Sequence, residues 1–118
     1  MKNRPFRERL MFALNGLGAA WRRENSFRTQ AKTGVIVTIA LIAVRPPLIW
    51  WAVITLTIAF VLAMELMNSA FEALIDHLHP DRHSEIRIIK DMAAGGVLLA
   101  SLGALVVGGF FLLATLWY

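Results

Sequence analysis

Between Leu48 and Met64 the chain reads LIWWAVITLTIAFVLAM, without one charged side chain. An uninterrupted apolar run of this length is what a helix needs to cross a bilayer. It is followed by a second continuous run from Met92 to Tyr118 and preceded by a shorter one from Thr33 to Val44. The short run reaches spanning length once Phe27–Lys32 is added, with Arg28 and Lys32 snorkelling to the water interface. In a chain of 118 residues that is 58% hydrophobic, the excess of apolar residues lies in these runs. That distribution argues for membrane spans within one domain rather than an oversized soluble core.

The breakers set the boundaries. Arg45-Pro46-Pro47 ends the first run, and Pro80 is the first breaker after Leu48. The expectation is an all-α membrane protein with spans over about 27–44, 48–67 and 92–118, the second continuing as a cytoplasmic helix to about residue 78. Asn25 and Ser26 are the expected N-caps of the first span. Gly95, Gly96, Gly103, Gly108 and Gly109 would let the third helix approach its neighbours closely. Ahead of the spans, Pro5 suits a first helical turn, and Phe6, Leu10, Ala13, Leu14, Leu17 and Trp21 form one apolar stripe. Arg7, Arg9 and Arg22 fall off that stripe, so about 5–24 reads as an amphipathic helix lying on the membrane surface. Asn15, Gly16 and Gly18 interrupt what would be the core of a signal peptide, which argues against cleavage.

Charge gives the orientation. The formal net charge is +4, and the basic residues gather before the first span and in the Asp76–Asp91 loop. By the positive-inside rule the N-terminus and that loop are cytoplasmic and the C-terminus is outside. The basic N-terminal segment fits anchoring to anionic headgroups and lacks the aromatic-interleaved face of a nucleic-acid binder. Without cysteine there is neither a disulfide nor a thiolate metal site. No internal repeat is present.

The chemistry concentrates where the second run ends. Glu65, Asn68, Glu72 and Asp76 stand at offsets that place them within an arc of about 80° on a helix, a single polar ridge. Glu65 and Glu72 are about 10 Å apart along the axis, too far to share one ion unaided. Glu65 stands at the lipid boundary, where loss of water suits a general base. Glu72, in wetter surroundings, suits a hard cation such as Mg²⁺. Pairing of these groups with Arg28, Lys32 or Lys90 in a purely structural interface fits the spacing equally well. His77, His79 and His83 bracket Pro80 and lack a fourth ligand, so they read as a solvated loop rather than a zinc site. Lys90-Asp91 opens the third run, where Asp91 would complement a helix N-terminus. No phosphate-binding glycine loop or soluble-kinase signature occurs.

Glu65-Leu66-Met67-Asn68-Ser69-Ala70-Phe71-Glu72, followed by Asp76 and then by Lys90-Asp91-Met92-Ala93-Ala94-Gly95, resembles the prokaryotic integral-membrane diacylglycerol kinase family. The segment Ala19-Ala20-Trp21 through Glu24 to Phe27-Arg28 also resembles that family's surface-helix signature, and the match extends over nearly the whole chain. The resemblance implies a homotrimer in the bacterial inner membrane, with active sites shared between subunits. It implies transfer of the ATP γ-phosphoryl group to a lipid hydroxyl, most simply that of diacylglycerol. Glu65 would take the hydroxyl proton, with Asn68 helping to hold it. Glu24 and Glu72 would coordinate Mg²⁺, while Asp81, His83, Lys90 and Asp91 would contact the nucleotide. Trp21, Phe27 and Arg28 would lie near the lipid.

Gln30 stands where some members carry a further carboxylate, and an amide serves as neither base nor strong metal ligand. This departure bears on acceptor specificity more than on catalysis, and undecaprenol, phosphorylated by a related branch, is the alternative acceptor. A proton-coupled transporter with Glu65 as carrier is the reading from another class, and it requires Glu65 near the bilayer midplane. A non-catalytic helper subunit is a third.

Overall fold

In a computed structural model, residues 3–79 and 83–117 are described, and they form four α-helices. These are α1 (Phe6–Arg23), α2 (Asn25–Val44), α3 (Leu48–Leu78) and α4 (Ser84–Trp117). Three of them, α2, α3 and α4, are long and apolar enough to cross a membrane.

Local chemistry explains most of the boundaries. Pro5 fills the N-cap of α1. Glu24 alone separates α1 from α2, in an extended conformation with φ −111° and ψ 109°. Helix α2 closes on Arg45, whose backbone is left-handed (φ 55°, ψ 57°) and whose N–H donates to Leu41 O at 2.9 Å. Pro46 disfavours right-handed helix in the residue before it, which ends α2 there, and Arg45 takes a left-handed backbone that non-glycine residues seldom adopt. Pro47 then caps α3, and no proline or glycine interrupts the chain before residue 79. At the start of α4, the His83 Nδ1 accepts the Glu85 N–H at 3.1 Å, a side-chain cap on one orphan donor.

The structure extends the expected third span. Helix α4 does not begin near Met92 but at Ser84, because SEIRIIKD has no breaker and supports helix throughout. Asp91 therefore lies well inside α4 and not at its N-terminus, where it pairs with Arg87 one turn back at 3.3 Å. Asn25 and Ser26 likewise fall inside α2, with Glu24 in the cap position and making no side-chain cap bond. The 31 residues of α3 and 34 of α4 run to about 47 and 51 Å. Both exceed a hydrocarbon core of about 30 Å, so the α3–α4 hairpin projects beyond it.

Helix α3 is the axis of the molecule. It packs along α4 on one side and against α2 on another, and α1 touches α2 and α3. Among the described residues α2 and α4 do not meet. Close approach is made by small residues: Gly34 is buried against Ile58, and Gly96 sits against Met64. At the opposite end Trp50 and Phe111 stack edge to face, with centroids 5.4 Å apart. Between α2, α3 and α4 lies an apolar cavity of about 540 Å³, with Gln30 and Thr33 at one rim and Phe111 at the other. The chain's own core is small, comprising Ala20, Phe27, Leu41, Ile54, Val61 and Ala100, which leaves most of the apolar surface to lipid or to another chain.

The Gly34 contact makes a prediction. A Cβ there would lie 2.8 Å from Ile58 Cγ2, a branch that a helical isoleucine cannot swing away. Gly34→Ala should therefore push α2 off α3 and destabilise the protein by about 1–3 kcal/mol. Thermal unfolding in detergent measures it, and adding Ile58→Ala, which removes the obstructing methyl, should recover part of the loss.

Candidate active site

Glu65 is placed by the length of the apolar run before it. It lies on α3 about 26 Å along the axis from Leu48, near the far edge of a hydrocarbon core entered at that end. That position is not the midplane a carrier carboxylate would need. Glu65 is only 6% exposed, and it is the one buried charged side chain among the described residues. Asn68 follows one turn later, with its Oδ1 buried and accepting no hydrogen bond from any described residue. Glu72 lies two turns beyond Glu65 and is half-buried.

The third carboxylate arrives from far away in sequence. Glu24 occupies the one-residue break between α1 and α2, and both of those helices lean on α3. Ala20 and Phe27, on either side of the break, are buried and hold it there. The charges of Glu24 and Glu72 both bear on Glu65. Among the described residues no Lys, Arg or His lies within ion-pair distance of any of the three. Like charges gathered without a counter-ion are unfavourable, so the arrangement invites a cation.

Asp76 behaves differently. It leaves the ridge to pair with Lys90 at 2.5 Å, tying the projecting end of α3 to α4. Asp76 of the ridge is thus ion-paired, whereas Glu65 and Glu72 have no basic partner among the described residues.

The remaining predicted residues are spread around this centre. Lys90 and Asp91 lie on α4, held by Asp76 and Arg87 respectively. His83 caps α4, and Asp81 lies outside the described residues. Trp21 keeps an exposed face, whereas Phe27 is buried between helices. Arg28 turns back on α1: its Nη1 donates to Trp21 O at 2.6 Å and to Arg22 O at 3.2 Å, and its Nη2 to Asn25 Oδ1 at 3.3 Å. That role was not read from the sequence, although an arginine one turn past a helix break is placed to reach the preceding helix's last carbonyls.

The donor chemistry fits Mg²⁺ of the kind that accompanies a nucleotide. Among the described residues no three acidic, histidine or cysteine side chains gather closely enough to hold a metal by themselves. Mg²⁺ in phosphoryl-transfer sites takes one or two carboxylates and completes its octahedron with phosphate oxygens and water. Glu24 and Glu72 are carboxylates of that chemical class.

Residues 11–112 match the family model described as prokaryotic diacylglycerol kinase. The chain belongs to the prokaryotic diacylglycerol kinase family. A diacylglycerol kinase from Synechocystis sp. is 38% identical over 106 residues, covering 89% of this chain and 61% of that protein. The undecaprenol kinase of Bacillus subtilis is 29% identical over 106 residues, covering 90% of this chain and 85% of its own. The diacylglycerol kinase of Escherichia coli K12 is 26% identical over 95 residues, covering 80% and 78%. This chain therefore spans about three-fifths of the Synechocystis relative. As a member of the prokaryotic diacylglycerol kinase family with three long apolar helices, it is a multi-pass inner-membrane protein.

Proposed function

We propose that this protein is an ATP-dependent kinase that phosphorylates diacylglycerol to phosphatidic acid. The observation that carries the proposal is the uncompensated group of Glu65, Glu24 and Glu72 at the end of the α3 apolar run. A lipid hydroxyl held at headgroup depth reaches Glu65, while a nucleotide from the water side reaches Glu72 two turns farther out. Phosphoryl transfer asks mainly for positioning and charge stabilisation, which such a division supplies.

In the proposed step Glu65 accepts the hydroxyl proton as the lipid oxygen forms its bond to the γ-phosphorus. The bond from that phosphorus to the β–γ bridging oxygen breaks, and ADP leaves. Asn68, whose Oδ1 has no donor from the described chain, holds the hydroxyl and Glu65 in register. Glu24 and Glu72 would hold Mg²⁺, which when bound would offset phosphate charge. Lys90, Asp91 and His83 flank the nucleotide, and Trp21 lies on the lipid side.

The same reading makes the chain a single lipid-kinase domain, with α1 an amphipathic helix on the cytoplasmic surface and the C-terminus outside. Its support is the apolar stripe left exposed on α1, including Phe6, Leu10, Leu14 and Leu17. The assembly proposed is a homotrimer, the state that the family resemblance implies, and the cavity that a single chain leaves open between α2 and α4 offers room for a neighbouring chain.

The test is direct. Purified protein in detergent is given Mg-ATP with either diacylglycerol or undecaprenol, and phosphate transfer is followed. Diacylglycerol should be phosphorylated. Transfer to neither lipid by intact oligomer contradicts the kinase reading, and transfer to undecaprenol alone contradicts the acceptor.

A further inference from the structure

The break between α1 and α2 lies beside the proposed metal site. A single residue, Glu24, joins two helices, and its carboxylate points wherever their mutual angle sends it. The backbone at the break is engaged from both sides, with Glu24 N–H donating to Ala20 O at 2.8 Å and Arg28 N–H donating to Glu24 O at 3.2 Å. Those bonds continue each helix but do not set the angle between them.

One side chain spans the two. The Arg28 guanidinium, one turn into α2, reaches back to the last-turn carbonyls of Trp21 and Arg22 on α1, and to Asn25 Oδ1 beside the break. The final carbonyls of a helix have no intrahelical partner and carry the negative end of its dipole, so a cation with several donors is matched to them. The planar fork of arginine makes those bonds at fixed angles, which a lysine cannot reproduce. Ala20 and Phe27 then pack beneath the clipped corner.

We propose that Arg28 is a positioning residue: by clamping the end of α1 to the start of α2 it fixes their angle and so aims the Glu24 carboxylate at Glu65. This rests on the metal role given to Glu24 above.

The test separates this inference from the functional reading by using two independent measurements. The chain has no cysteine, so spin labels can be placed uniquely at Leu14→Cys on α1 and Leu74→Cys on α3, both exposed sites. With labelled chains diluted among unlabelled ones, the label-to-label distance should be narrowly distributed in otherwise native protein and clearly broadened by Arg28→Lys or Arg28→Gln. An unchanged distribution overturns the proposal whether or not the protein is a kinase. The second measurement is kinetic. Arg28→Lys should raise the Mg²⁺ concentration for half-maximal transfer about tenfold, the scale of a lost supporting contact at a metal site. In the Glu24→Gln background the same change should add nothing further. An equal, additive loss in both backgrounds, or a raised KM for lipid alone, overturns the proposal, because Arg28 would then act on general stability or on the acceptor. Absence of kinase activity in native protein contradicts the proposed function instead, and leaves the distance measurement to decide the clamp.

Discussion

Glu65→Gln is expected to lower phosphoryl transfer by about 100-fold or more, the contribution of a positioned general base, while helix content and oligomeric state stay unchanged. The amide is nearly the same size and fits the same buried place on α3, so the surrounding packing is preserved. It lacks the capacity to accept the hydroxyl proton. The variant also removes the one buried charge from a cluster that has no basic partner among the described residues. Its thermal midpoint in detergent should therefore be equal to or above that of the native chain, since an unpaired buried charge is destabilising. Activity and stability falling together would mean that Glu65 holds the fold rather than the proton.

The second large effect belongs to the two other carboxylates. Glu24→Gln and Glu72→Gln should each raise the Mg²⁺ requirement at least about 10–100-fold, the range already lost when only an outer contact of a metal site is removed. Glu65→Gln should leave that requirement near native. The linkage has a stability counterpart: a cation that binds only the folded state raises its thermal midpoint. Mg²⁺ with nucleotide should thus stabilise the native chain and Glu65→Gln, and do so far less for Glu24→Gln or Glu72→Gln. Equal stabilisation of all four proteins would remove the metal from these residues.

Much of the fold was legible because the bilayer forces apolar residues into runs. The bounds of α3 and the end of α2 followed from Pro46, Pro47 and Pro80, whose backbone restrictions are local. The start of α4 was missed for a related reason: Ser84–Asp91 is polar, so hydropathy excluded it from the span, yet nothing in it stops a helix. The site was legible where it lies on one helix, since Glu65, Asn68 and Glu72 share a ridge by periodicity alone. Spacing could not divide Asp76 from that ridge, because its partner Lys90 comes from α4 and hairpin register decides the pairing. Glu24 was assigned only through family resemblance, since its approach to Glu65 depends on α1 and α2 both packing on α3. The Arg28 clamp was illegible for the same reason: it depends on the angle at a one-residue break.

The central claim is a division of labour in which Glu65 serves the lipid hydroxyl and Glu24 with Glu72 serves the metal. Binding of Mn²⁺ with a non-hydrolysable ATP analogue, followed by paramagnetic resonance on purified native protein and each single Gln variant, tests it without requiring turnover. The account predicts native affinity for Glu65→Gln, despite its lowered phosphoryl transfer, and a loss of at least about tenfold for Glu24→Gln and Glu72→Gln. Comparable loss of Mn²⁺ binding in all three variants, or in Glu65→Gln alone, would contradict it.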